Sequence, residues 1–157
     1  MAPRAYIIRT DGACRGNPGP ASIGVALYDA ARAGSDDPDA LPVASISAAI
    51  GTTTNNVAEW RAVVAAIDFA AELGAREVDL LLDSKLVVEQ LQGRWRVRDA
   101  KLAPLCDEAQ KGLTRFAHWS ARHVPREQNG RADALANEAL DRALGQYGFS
   151  EAAQRIY

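Results

Sequence analysis

Ala5-Tyr6-Ile7-Ile8-Arg9-Thr10 runs into Asp11-Gly12-Ala13-Cys14-Arg15-Gly16-Asn17-Pro18-Gly19-Pro20 and then into the apolar segment Ser22 to Tyr28. A β-branched run, ten residues with three glycines and two prolines, and a second apolar run read as strand, turn and strand. Val43 to Ile50 supplies a third strand, so the chain opens on an antiparallel meander. Between the second and third strands lies Asp29 to Pro42, with four aspartates, a glycine and two prolines, which reads as an elongated acidic hairpin connection.

Further along, the period changes. Val57, Trp60, Val63, Val64, Ile67 and Ala71 recur at helical spacing, which predicts a helix over 57–73, with Thr54, Asn55 and Asn56 as cap candidates and Gly74 as its stop. Glu77 to Leu82 reads as a short buried strand and Phe116 to His123 as another. Ser84 to Leu91, Asp99 to Leu113 and Arg131 to Leu144 read as helices. The order predicts an α/β fold: a mixed sheet of five strands, three antiparallel and then parallel ones reached by crossovers, flanked by helices.

The chain has 157 residues, which fits one domain over 1–157, with a core over about 5–144 and a loosely docked tail from 145 to 157. Its 48% hydrophobic and 24% charged residues are those of a globular protein. The longest apolar run, Ala62 to Ile67, is far too short to span a bilayer, and Met1-Ala2-Pro3-Arg4 leads directly into a strand without the apolar core of a signal peptide. A cytoplasmic protein without membrane association, and a monomer, is expected. Cys14 and Cys106 make neither a disulfide framework nor a zinc set. A net charge of −2 argues against nucleic-acid binding through bulk charge and leaves local patches open.

Four carboxylates stand in unexpected places. Asp11 ends the first strand reading, where Asp-Gly is also an ordinary turn dipeptide. Glu59 has Ala62, Val63 and Ala66 as its neighbours one turn on, beside the apolar stripe; the alternative is a boundary glutamate reaching solvent. Asp83 closes the strand 77–82, at the strand end where sheets of this kind collect functional groups, although Asp83 or Ser84 equally suits a helix cap. Asp133 lies in line with Ala136 and Leu140 and so points toward the sheet, with the helix N-terminus as a simpler account of its charge. Repulsion within such a set destabilises a fold unless divalent cations reverse its sign. An all-carboxylate set without Cys or His selects Mg²⁺ or Mn²⁺ rather than zinc. Two such ions about 4 Å apart suit phosphodiester hydrolysis.

The ordered set Asp11 to Pro20, Thr53-Thr54-Asn55-Asn56-Val57-Ala58-Glu59, Asp83-Ser84 and Asn129-Gly130-Arg131-Ala132-Asp133 resembles ribonuclease H of type 1, over residues 5 to 144. The resemblance implies endonucleolytic cleavage of the RNA strand of RNA/DNA hybrids, leaving 3′-hydroxyl and 5′-phosphate ends. It implies that Asp11, Glu59, Asp83 and Asp133 hold two Mg²⁺ ions, with Mn²⁺ as a substitute. Cys14, Asn17, Asn55 and Asn56 are implied as hybrid contacts, and Thr54 as part of a phosphate pocket for the DNA strand. Of Asn55 and Asn56, one is expected to cap the helix and the other to read substrate.

Two departures from that pattern stand out. Many members carry a histidine on a loop about ten residues before the last aspartate. His123 lies at that distance but belongs to the strand 116–123, and Val124-Pro125-Arg126-Glu127-Gln128 is shorter than the family's loop, so Arg126 is favoured for a catalytic role. The family's basic protrusion is also missing. Gly93-Arg94-Trp95-Arg96-Val97-Arg98 stands in its place, and an extended course would put Arg94, Arg96 and Arg98 on one face as phosphate contacts and Trp95 on the other, close to the position where the resemblance implies an aromatic along the DNA strand. Relaxed selectivity, including cleavage of RNA duplex, is one alternative; a non-catalytic hybrid- or duplex-binding domain is the other.

Overall fold

The computed structural model describes residues 4–145 and 153–157. In chain order the elements are β1 (Ala5–Cys14), β2 (Gly19–Asp29), β3 (Ala44–Thr53), α1 (Asn55–Glu72), β4 (Glu77–Leu82), α2 (Lys85–Leu91), α3 (Ala103–Leu113), β5 (His118–His123), a 3₁₀ turn (Arg126–Gln128), α4 (Gly130–Leu144) and β6 (Ala153–Ile156). They build one sheet in the order β5-β4-β1-β2-β3-β6. β1 pairs antiparallel with β2 and β2 with β3, as the meander reading expects, while β1, β4 and β5 run parallel.

The sheet has six strands, not five. Gly145 follows α4, and residues 146–152 of the expected tail lie outside the described residues. Beyond them, Ala153–Ile156 pairs antiparallel with Ala44–Ser47 of β3, and the Tyr157 amide donates to the Val43 carbonyl at 2.7 Å. A four-residue strand is too short to show a period of two; what makes it a strand is the unfilled edge of β3. The glycine-rich stretch is also less of a loop than its composition suggests. β1 continues to Cys14 and β2 starts at Gly19, leaving only Arg15 to Pro18 as the turn, with a cis Asn17-Pro18 peptide.

Side chains alternate across β1, so its two faces feed two cores. Tyr6 and Ile8 join Val25, Trp60, Val63, Ile67, Leu80 and Leu113 in the larger one, under α1 and α3. Ile7 joins Ala26, Tyr28, Leu81, Val124 and Leu135 in the smaller one, under α4. Two glycines let helices lie directly on strands. A Cβ on Gly24 would stand 2.1 Å from the Ala132 carbonyl oxygen, and one on Gly12 would stand 2.4 Å from the backbone nitrogen of Glu59. Both close approaches bear on the site, since they seat the helices that carry Asp133 and Glu59. Among the described residues, no helix is long and apolar enough to cross a membrane.

Candidate active site

The parallel ladder between β1 and β4 ends at the pair Thr10–Leu82. Asp11, the next residue on β1, stays in register with Gly24 of β2 on its other side, and Asp83 is the first residue beyond β4. Asp11 is therefore inside its strand rather than in a turn after it. Two acids leave adjacent parallel strands side by side, where the pairing stops. Glu59 arrives from α1, brought against β1 by the contact at Gly12. Thr10, Asp11, Glu59, Asp83 and Ser84 line one small hollow, with Val63, Leu82 and Val87 as its apolar lining.

Asp133 comes from the other face. The Asn129 side-chain amide, fully buried, donates to the Thr10 carbonyl at 2.8 Å and ties the start of α4 to β1. The Asp133 backbone N–H then bonds the Asn129 carbonyl at 3.1 Å, setting Asp133 in the first helical turn. Its side chain is exposed rather than turned into the sheet, yet it reaches Asp11 and the two carboxyls share a hydrogen bond.

The electrostatics record this crowding. Burial above all, then the hydrogen bond with Asp133 and the charges of Asp83, Asp133 and Glu59, push the Asp11 carboxyl up to about 8. Glu59 is also raised, chiefly by burial and further by Asp83. The Ser84 hydroxyl, the Arg126 charge and the Asn55 amide oppose that shift without cancelling it. The acids surround Asp11 as neighbours, and among the described residues no three are gathered at one coordination point. A buried carboxyl with three further carboxyl groups as neighbours is the donor chemistry a hard divalent cation fits.

Local caps free the acids from structural duty. Ser84 caps α2, its Oγ accepting from the Val87 N–H at 3.3 Å, so Asp83 is not the cap. Thr54 caps α1, accepting from the Val57 N–H at 3.3 Å. The expectation that Asn55 or Asn56 caps is thus corrected: both lie within the helix. A threonine hydroxyl one residue earlier already takes the free N–H. The Asn55 side-chain amide donates to the Glu59 carboxylate at 3.4 Å, and the Asn55 backbone N–H donates to Asn17 Oδ1 at 3.1 Å. The Cys14 thiol donates to the Thr53 carbonyl at 3.2 Å. Cys14, Asn17, Thr54 and Asn55 are thereby brought together at one end of the sheet, with Asn56 exposed beside them.

Of the remaining candidates, Arg126 lies in the 3₁₀ turn, exposed, with its charge felt at Glu59. His123 ends β5, paired with Leu82 and exposed. The extended course for 94–98 is not what the chain adopts at its start. It bends after Gly93, and the Arg94 guanidinium makes two bonds to Glu89, Nε at 2.5 Å and Nη2 at 3.0 Å. A partner five residues back in sequence outcompetes a free extended arm. Trp95 is exposed, with Lys85 Nζ 5.9 Å from its ring centroid. Asn129, which holds α4 to Thr10, and Ser84, which steadies Glu59, carry site geometry that residue type alone does not reveal.

Known proteins resemble this chain in sequence and in fold. The family described as "Reverse transcriptase-like" matches residues 9–139. "Ribonuclease HI" of Halobacterium salinarum is 47% identical over 85% of this chain and 63% of its own, and "Ribonuclease H" of Paracidovorax citrulli is 36% identical over 88% and 96%. "Bifunctional protein Rv2228c" of Mycobacterium tuberculosis is 44% identical over 87% of the chain, which spans only 36% of that relative's length. The crystal structure of Halobacterium salinarum RNase H1 superposes with a TM-score of 0.81 at 45% identity, covering 88% of this chain and 99% of that one. LC11-RNase H1, solved in complex with an RNA/DNA hybrid, does so with 0.79 at 38% identity, covering 89% and 99%. The chain belongs to the reverse transcriptase-like family of type 1 ribonucleases H.

Proposed function

We propose that the protein hydrolyses the RNA strand of RNA/DNA hybrids internally, leaving 3′-hydroxyl and 5′-phosphate ends. The observation that carries this is the convergence of Asp11, Glu59 and Asp83 on one hollow where the β1–β4 ladder ends, with Asp133 reaching Asp11 from α4. The four acids would hold two Mg²⁺ ions, or Mn²⁺ in their place. When bound, such ions supply Lewis-acid polarisation at the scissile phosphate and neutralise its charge. Ser84 and Asn55 keep the Glu59 carboxylate oriented by hydrogen bonds. Arg126, permanently cationic, faces the same region and stabilises phosphate charge there; it cannot act as a base near neutrality.

Substrate selection falls to the other group. Cys14, Asn17, Asn55 and Asn56 line a surface suited to the minor groove, where 2′-hydroxyls mark the RNA strand and asparagine amides offer both donor and acceptor. Thr54 accepts a bond from the helix, and its own hydroxyl hydrogen remains available to a phosphate of the DNA strand. Trp95 offers an exposed ring beside Lys85. With Arg94 already paired to Glu89, the grip on the duplex is light, which supports tolerance of RNA duplex as a second substrate.

The test is incubation of the purified chain with internally labelled RNA/DNA hybrid, RNA duplex and DNA duplex, in Mg²⁺ and in Mn²⁺. Internal RNA cuts in the hybrid are expected. Intact hybrid in both metals, with hybrid binding retained, would instead identify a non-catalytic binding domain.

A further inference from the structure

Ile7, Arg9 and Asp11 share one face of β1, the face covered by α4. An arginine there is unexpected. Arg9 is 1% exposed, and its side chain carries a guanidinium. Among the described residues no carboxylate forms an ion pair with it. Instead its two terminal nitrogens separate: Nη1 donates to the Gln128 carbonyl at 3.1 Å and Nη2 to the Asp36 carbonyl at 3.0 Å. The first belongs to the 3₁₀ turn with Arg126, the second to the acidic connection between β2 and β3. The Tyr28 phenol, pushed up by burial, lies within the fields of Arg9 and Arg131, which pull it down. A cleft of about 280 Å³, lined by Pro38 and Asp39 on one side and Glu127, Gly130, Arg131 and Ala134 on the other, lies between the acidic connection and the turn with the first residues of α4.

An apolar side chain would fill this position without burying a charge, and a lysine would gather its donors on a single nitrogen. The planar guanidinium fork is the side chain that can hold two carbonyls from separate loops at once. What it holds is close to the chemistry. Gln128 is two residues from Arg126, whose charge acts on Glu59, and the next residue, Asn129, is bonded to the Thr10 carbonyl. We propose that Arg9 is a positioning residue: it locks the Arg126 turn onto the strand that carries Asp11, with the acidic connection as its second anchor. The inference deepens the ribonuclease reading and rests on it. It also gives the stretch 29–42 a role, as a brace rather than a spacer. Loosening the clamp displaces Arg126 while leaving the hybrid-reading group around Cys14, Asn17 and Asn55 in place.

The experiment compares steady-state hybrid cleavage by the wild type, Arg9→Lys, Arg126→Ala and the double variant, with Arg9→Met as a second clamp variant. Arg9→Lys is expected to lower kcat about tenfold with KM within about twofold, since small misplacements near the chemistry cost factors of this order. In the Arg126→Ala background the same change should add nothing. Equal losses in both backgrounds, an unchanged kcat, or an Arg126→Ala chain as fast as wild type would each overturn the proposal. Amide hydrogen exchange of the metal-free proteins supplies a readout that needs no activity. Exchange at residues 128–129 and at 35–37 is expected to rise together in Arg9→Lys, and unchanged exchange would overturn the clamp. Wild-type chain that clamps but leaves hybrid uncut overturns the ribonuclease reading instead, so the two failures are told apart.

Discussion

Gly12 of β1 lies so close under α1 that a methyl group on it would stand 2.4 Å from the backbone nitrogen of Glu59. The acid is seated by the absence of a side chain on the neighbouring strand. Because the obstructing atoms are backbone, they cannot swing aside as a flexible side chain would. Gly12→Ala is therefore expected to cost about 3 kcal/mol, the upper end for overpacking, and to move Glu59 away from Asp11. Urea unfolding of the variant, with the cleavage rate measured under conditions where it remains folded, checks both effects.

The raised Asp11 carboxyl makes the metal-free protein sensitive to pH with a definite sign. In the unfolded chain this group loses its proton near its ordinary value of 3.8, whereas in the fold it keeps it to about 8. Between those limits the native state binds more protons than the unfolded one, so the contribution of Asp11 to stability is full below about 4 and falls as pH rises to about 8. Asp11→Asn should flatten that slope and raise the melting temperature of the metal-free protein at pH 8 while abolishing cleavage. Thermal melts in chelator at pH 5 and pH 8 provide the comparison; an equal slope in both proteins would contradict it.

Asp83 sits at the end of β4, with Ser84 rather than itself capping α2. Its removal should therefore spare the fold. Asp83→Asn is expected to stop hybrid cleavage while hybrid affinity changes by less than about 1–2 kcal/mol, since like-charge repulsion falls as the carboxylate is lost. Titration with labelled hybrid alongside the cleavage assay tests the pair of outcomes, and a fully active variant would remove Asp83 from the site.

Arg94 is exposed but already engaged by Glu89. Arg94→Ala should consequently leave the salt dependence of hybrid binding nearly unchanged. Glu89→Gln should free the guanidinium for a phosphate and steepen the log–log salt slope by about 0.9, the increment for one added contact. Binding isotherms across a series of salt concentrations distinguish the two variants.

Much of the site can be read from residue order because its parts are short-range. Glu59 and Asp133 carry their own helical context, and Asp11 and Asp83 follow apolar strand runs, so type and spacing suffice to nominate them. Asp133 shows where periodicity stops being a guide: its place in line with Ala136 and Leu140 points inward, yet the side chain is exposed and meets Asp11 at the rim. Arg9 and Asn129 are harder still. Their partners, Asp36, Gln128 and Thr10, are backbone carbonyls 27 to 119 residues away, and a carbonyl leaves no trace in residue identity. The same is true of β6, defined by the open edge of β3 rather than by any pattern of its own.

That last strand also bears on behaviour in solution. With Ala153–Ile156 laid along β3, the Ala44–Ser47 half of that strand no longer stands at the margin of the sheet. The opposite margin, β5, is short and carries exposed His118, Arg122 and His123. Bulky polar and cationic groups on a six-residue border discourage strand-by-strand docking of another molecule. Trimming the chain before Ala153 would uncover the four residues Ala44–Ser47 and lengthen an open border rich in small and β-branched residues, and the first consequence to expect is self-association rather than a change at the Asp11 carboxylate cluster.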